Sequence, residues 1–182
     1  MNTKNNPLLS PWSSPFGRPP FDDIRPEHFA VALQAAMAEQ RLELDAIGAQ
    51  VATPSFDNTV AALDRSGAWL YRLDALLSNL TASATSPALQ AVQRELAAPL
   101  AAHDSAVKMH PGVFARLDAL HAQRQSLGLE PEALRLLGRL HLDCVRAGAR
   151  LGPQAQQRYA AIMQELATLR SEEHTSELQS HS

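Results

Sequence analysis

The sequence predicts an all-α fold: a multi-helix antiparallel bundle entered through an extended, proline-rich arm. Three observations carry this expectation. Apolar residues recur at three- and four-residue steps from Phe29 to Leu166, the period of a helix with one buried face. No window alternates with a two-residue period or is enriched in β-branched residues, and Asn-Gly and Asp-Gly hairpin turns are absent. The connections between periodic segments are short, which sets successive helices antiparallel.

The elements follow in order. Six of the twelve prolines fall between Pro7 and Pro26. Proline removes a backbone donor and disfavours helix in the residue before it, so residues 1–25 form the arm. Trp12, Phe16 and Phe21 punctuate that arm, and aromatics so placed predict that it lies on the body. Pro26 suits a first helical position, and Phe29, Leu33, Met37, Leu44, Ile47 and Val51 mark one face of the first helix. Thr53-Pro54-Ser55 interrupts it, with Ser55 as N-cap and Asp57 in the following turn. A second helix runs from Phe56 through Val60, Leu63, Gly67, Leu70 and Leu77 to Leu80. Ser86-Pro87 opens a third that reaches Met109, with a kink or break expected at Pro99. Pro111 opens a fourth helix ending near Gly128, Pro131-Glu132 a fifth and Gly152-Pro153 a sixth. No fixed-period repeat runs through them.

Composition bounds the function. With 182 residues, 19% of them charged and 45% hydrophobic, the chain has the length and core of one soluble domain. A net charge of −3 points to neither nucleic acid nor an anionic membrane as a partner. No signal peptide and no membrane-spanning run is present, so the expected compartment is the cytoplasm and the Asn79-Leu80-Thr81 sequon is read as chance. Cys144 is the single cysteine and forms no intrachain disulfide.

From Arg170 the character changes. The run RSEEHTSELQSHS is polar and carries no apolar face. From Arg170 into His181 it matches, residue by residue, one frame translation of a common short-read sequencing adapter. The expectation is that residues 170–182 are not native, that residues 26–169 make up the helical domain, and that the tail adds nothing to the fold. Glu172, Glu173, His174, Glu177 and His181 would otherwise resemble a metal-ligand cluster, and all five are set aside.

Five histidines remain: His28, His103, His110, His121 and His141. None stands in a His-Glu-x-x-His arrangement, which puts two imidazoles one turn apart with a glutamate beside the metal-bound water. His103 and His110, read as one helix face, lie about 10 Å apart along its axis, too far for one zinc ion. Individual surface or partly buried roles are the simpler reading. Cys144 follows His141 by three residues and can meet it on one face, yet no third group orients such a pair, and core packing explains both. No nucleophile elbow and no phosphate-cradling glycine loop occurs. Arg139, Arg146 and Arg150 form a loose basic strip, read as a solvated face, and Asp22-Asp23 is an acidic pair near a helix start. The expected catalytic, cofactor-binding and metal residues are therefore none.

Several phrases resemble the N-terminal region of the thimet oligopeptidase/neurolysin family of zinc metallopeptidases. They are Asn6-Pro7-Leu8-Leu9, Pro20-Phe21-Asp22 and Ile24-Arg25-Pro26-Glu27-His28-Phe29 in the arm and first helix. Phe56-Asp57-Asn58-Thr59-Val60 follows, and then Ala62-Leu63 and Ser66-Gly67. Phe114-Ala115-Arg116-Leu117-Asp118-Ala119-Leu120, Ser126-Leu127-Gly128-Leu129 and Arg146-Ala147-Gly148-Ala149-Arg150-Leu151 are most similar to the peptidyl-dipeptidase Dcp branch rather than to oligopeptidase A. Cys144 stands where that branch implies a bulkier aromatic residue. The resemblance implies a parent enzyme with a deep channel between two mostly helical halves, acting on short peptides. Its zinc, the His-Glu-x-x-His helix and the glutamate ligand are implied to lie beyond this chain. The chain is then expected to be an inactive helical wall of that channel. The alternative is a self-sufficient interaction module that binds a partner through its kinked third helix or its arm.

Overall fold

A computed structural model describes residues 6–180, with side chains through Glu173. Among the described residues there is no strand, and the chain is an all-α bundle. The helices are α1 (Pro26–Gly48), α2 (Ala62–Arg65), α3 (Ala68–Ser83), α4 (Pro87–Lys108), α5 (Pro111–Ala122), α6 (Pro131–Arg146) and α7 (Pro153–Ser180). Five of them start on a proline at the first helical position, where the missing N–H is one that no helix would use. Ser86 accepts a hydrogen bond from the Leu89 N–H at 3.2 Å and caps α4 as the sequence predicts.

Helix α1, about 35 Å long from its 23 residues, passes through two apolar cores. Its first half packs Phe29, Ala32, Leu33 and Ala36 with Leu73 and Leu77 of α3 and Leu96 of α4. Its second half packs Leu44 and Ile47 with Val113, Leu117 and Leu120 of α5 and Leu137 of α6. Contacts between sequence neighbours hold for α3 with α4 and α5 with α6, but α1 also packs on α3, α4 and α5, and α4 makes its broadest contact with α7.

The arm does lie on the body, through different residues from those expected. Phe16 is fully exposed and Phe21 half-exposed, while Leu8 is completely buried in the first core. Asn6 anchors it: the side-chain amide donates to the His28 carbonyl at 2.8 Å and its Oδ1 accepts from the Leu8 N–H at 3.0 Å. Trp69 Nε1 donates to the Leu8 carbonyl at 3.3 Å, and the Arg72 guanidinium lies 4.4 Å above the Trp12 ring. Two short 3-10 turns, Pro7–Leu9 and Pro15–Gly17, interrupt the extended backbone.

Three helix expectations need correction. Helix α1 stops at Gly48, and Val51 is fully exposed rather than part of its face. The predicted second helix is three pieces: a π-helical turn over Phe56–Ala61, then α2, then α3. The break falls at Gly67, whose left-handed φ of +70° lets its N–H reach Glu43 Oε2 at 2.7 Å. A Cβ there would meet the Gln40 amide at 2.3 Å, so the periodicity of Leu63, Gly67 and Leu70 conceals a turn. The fourth helix ends at Ala122, well before Gly128. At Pro99, by contrast, α4 continues without a break, held along its length by α3 and α7.

Helix α7 also runs through Arg170 without interruption. Serine, glutamate, leucine and glutamine are acceptable helix residues, and no glycine or proline stands there to end it. The side chains of His174 and Glu177, and all of His181, lie outside the described residues.

At the end of α1 the backbone crosses the start of α5 with no side chain between them. A Cβ on Gly112 would lie 2.9 Å from Gly48 Cα. Gly112→Ala should therefore cost about 1–3 kcal/mol and lower Tm by roughly 3–10 °C. Gly138→Ala, whose added methyl meets open space in α6, should raise stability by about 0.5–1 kcal/mol. Thermal denaturation followed at 222 nm checks both.

Candidate functional site

Two polar centres and one groove stand out. The first centre is Arg116 of α5, 93% buried. Its Nη1 donates to the carbonyls of Gln50 at 2.8 Å and Ala52 at 3.0 Å, its Nη2 to Asn58 Oδ1 at 2.8 Å, and its Nε to Thr59 Oγ1 at 3.2 Å. Among the described residues no carboxylate pairs with it, and four oxygen dipoles are oriented on the cation. Asn58 is held in turn by the Ser55 cap: Ser55 N–H donates to its Oδ1 at 2.8 Å and Ser55 Oγ accepts from its N–H at 3.2 Å. This centre shapes the connection after α1 and leaves no atom available for chemistry.

The second centre joins α5 to α6. His141, buried, donates from Nε2 to Asp118 Oδ1 at 2.8 Å, and Arg150 Nη2 donates to the same oxygen at 2.8 Å. The two hydrogen bonds, from Arg150 first and His141 second, hold the Asp118 carboxyl below its usual range. His121 stacks on His141 with ring centroids 3.8 Å apart and planes 4° from parallel. Burial, then the nearby His141 and Arg124, lowers its pKa below 6.5.

The candidate site residues of the sequence fall as follows. His28 Nδ1 accepts from the Arg25 N–H at 3.1 Å at the start of α1. His103 and His110 do not share a helix, because α4 ends at Lys108 and His110 caps α5 by accepting from the Val113 N–H. Each turns to α1: His103 Nε2 bonds Gln40 Oε1 at 2.7 Å, and His110 Nε2 bonds Asp45 Oδ1 at 3.1 Å. His141 faces Asp118 rather than Cys144. The Cys144 thiol is buried in the second core, where desolvation pushes its pKa up to about 11, so it stays protonated and un-nucleophilic at neutral pH. Among the described residues no three of His, Cys, Asp and Glu converge as metal ligands. The residues present do not fit a catalytic zinc, which takes about three protein ligands and an open position. Arg139 pairs with Asp143 at 2.9 Å and Arg150 with Asp118, so the basic strip is neutralised in part by its own helix and its neighbour.

The groove, about 820 Å³, opens between α3 and α4. Leu70 and Asp74 line it one turn apart on α3, and Leu100, Asp104 and Val107 at helical spacing on α4. Gln40 and the nearly buried His103 close its base, with Gln40 Nε2 reaching Ser66 Oγ at 3.4 Å. Desolvation raises the Asp74 carboxyl above its ordinary 3.8. Sequence reading missed this groove because Leu70 looked like core, and because the break at Gly67 that opens its upper end is invisible in the apolar spacing.

No family model matches the chain. It is 38% identical to the dipeptidyl carboxypeptidase of Salmonella typhimurium over 167 residues, 92% of this chain and 25% of that protein. Against the dipeptidyl carboxypeptidase of Escherichia coli K12 the identity is 34% over 170 residues, again 25% of that protein. The chain resembles the N-terminal region of the thimet oligopeptidase/neurolysin family. Oligopeptidase A of Salmonella typhimurium is 27% identical over 164 residues, so within the family the likeness leans to the dipeptidyl carboxypeptidases. The chain spans about a quarter of the length of these curated relatives. Two phrases that carry the family resemblance, Asn58-Thr59 and Arg116, are the two sides of the buried arginine centre.

Two outcomes follow. Arg116→Met removes four hydrogen bonds from a buried site and should cost about 2–4 kcal/mol, and Arg116→Lys should recover less than half because an ammonium cannot fork among the four oxygens. His103, like His121, has a pKa lowered by burial. The unfolded chain then binds more protons just below pH 6.5. Stability should be flat above that pH and fall as pH drops through the lowered folded values. Urea unfolding from pH 7.5 to 5 should show a shallower fall for His103→Gln than for the unaltered chain.

Proposed function

We propose that this chain is the N-terminal helical region of a longer zinc-dependent peptidase, forming one wall of the channel that admits short peptides. The observation that carries the reading is the match to dipeptidyl carboxypeptidases along more than nine-tenths of this chain and only 25% of theirs. The described residues form a helical scaffold with buried polar centres that tie α5 to the loop after α1 and to the segment through Arg150. The zinc, its ligands and the groups that stabilise the tetrahedral intermediate belong to the remaining part of the parent. This chain alone is inactive and binds no zinc tightly. We place the parent in the cytoplasm; among the described residues no helix is long and apolar enough to cross a membrane. Residues 170–182 are adapter-derived in this reading, and sequencing the source gene beyond Leu169 tests that directly.

A wall acts by selecting substrates by size and excluding water on closure, and both effects are lost without touching a metal ligand. The full parent should therefore turn over a short fluorogenic peptide with a kcat/KM at least about 100-fold above that of the parent lacking these residues, while both bind zinc equally. Equal kcat/KM and unchanged length preference would give the lead to the self-sufficient interaction module.

A further inference from the structure

The groove between α3 and α4 has the composition of a binding site for one kind of side chain. Leu70, Leu100 and Val107 give it apolar wall surface, and polar and charged side chains line the rest. Asp74 stands on the α3 wall with no hydrogen bond or ion pair among the described residues, although it is partly desolvated. A desolvated carboxylate without a partner is costly, and a cation arriving beside it removes that cost. Of the other charges around the groove, Asp104 is already neutralised by Lys108 at 2.7 Å. Asp64 and Arg65, at the end of α2, also line the groove, and Asp74 borders a second, smaller cavity with Arg170 and Ser171 of α7. His103 at the base favours its neutral form, its ring burial being the main cause. Asp64 and Asp104 are exposed, so Asp74 is the partly desolvated carboxylate of the groove wall. Tyr71, 78% exposed, offers an aromatic face at the rim next to it.

We propose that this groove binds the side chain of an arginine residue in an unstructured peptide. The methylenes lie on Leu70, Leu100 and Val107, and the guanidinium lies between the Tyr71 ring and the Asp74 carboxylate. Apolar wall residues beside a partly buried carboxylate fit a long amphipathic cation. The planar guanidinium adds stacking on a phenol, which an ammonium does less well. Peptides are the ligands of the parent reading too, yet the site belongs to this chain alone. Binding without any effect on parent turnover, or the reverse, separates the two proposals.

The test is calorimetric titration of the 182-residue chain with an acetylated, amidated alanine pentapeptide carrying one central arginine, and with its citrulline counterpart. Citrulline keeps the shape and hydrogen-bonding edge but removes the charge. The arginine peptide should bind at least about tenfold more tightly. Asp74→Asn, which breaks no hydrogen bond of the fold, should bring the two peptides within about twofold of each other. Asp74→Glu should restore part of the difference, and Glu27→Gln, on the first turn of α1, should leave it unchanged. Amide shifts at Tyr71 and Leu100 should move with the arginine peptide. Equal binding of both peptides, no saturation by 1 mM (about −4 kcal/mol), or an unaltered preference in Asp74→Asn would overturn the proposal. So would tighter binding of an uncharged leucine-rich helical peptide, which would make the groove a seat for a helix.

Discussion

The connection from α1 to α3 depends on a single buried cation. Residues 49–67 hold little regular structure beyond the π-helical turn and one turn of α2, and they run between the two halves of the molecule. The carbonyls of Gln50 and Ala52, on exposed residues, are acceptors outside any regular helix and draw their protein donor from elsewhere. Arg116 satisfies both, and at the same time orients Asn58 and Thr59. Burying a guanidinium is unfavourable unless every donor finds an acceptor. That requirement runs in both directions: the loop needs the arginine, and the arginine needs the loop in this one shape. The fixed path then sets where α2 ends, where Gly67 turns, and hence where α3 begins beside the groove.

Much of the helical layout was legible because prolines sit at helix starts, where their missing donor matters least. Pro26, Pro87, Pro111, Pro131 and Pro153 mark five beginnings, and Ser55 and Ser86 cap as their side-chain chemistry leads one to expect. Endings were less legible. Gly48 closes α1 because its backbone meets Gly112, a contact made by residues distant in sequence. Gly67 breaks a perfectly periodic run because a left-handed residue is needed to reach Glu43, and apolar spacing carries no trace of that bond. Pro99 shows the converse: a local rule predicted a kink or break, and α4, which packs on α1, α3 and α7, runs on through it as one helix. In the arm, aromatic size drew attention to Phe16 and Phe21, while the anchor is the small pair Asn6 and Leu8.

The histidines make the same point for function. Sequence spacing raised His103 with His110, and His141 with Cys144, as pairs worth testing. Each imidazole is instead committed to another helix: Gln40 and Asp45 on α1, Asp118 on α5. These bonds tie helix to helix and leave the rings positioned as struts. Asp74, a partly buried carboxylate with no such commitment among the described residues, is unmarked in the sequence, since nothing in its neighbours along the chain sets it apart. Its surroundings are made by α4 and α7 coming alongside α3.

Both tryptophans of the chain, Trp12 and Trp69, sit where the arm meets the body. Intrinsic emission is thus a local optical gauge of arm docking, blind to the core around Arg116. Trp12 lies under a guanidinium, Trp69 shares its indole proton with the Leu8 carbonyl, and both pack on the first core, so their spectra register the arm and that core together. A fluorescence curve and an ellipticity curve recorded on the same sample therefore watch different parts of the molecule. Their coincidence or separation dates the departure of the arm relative to the melting of the helices.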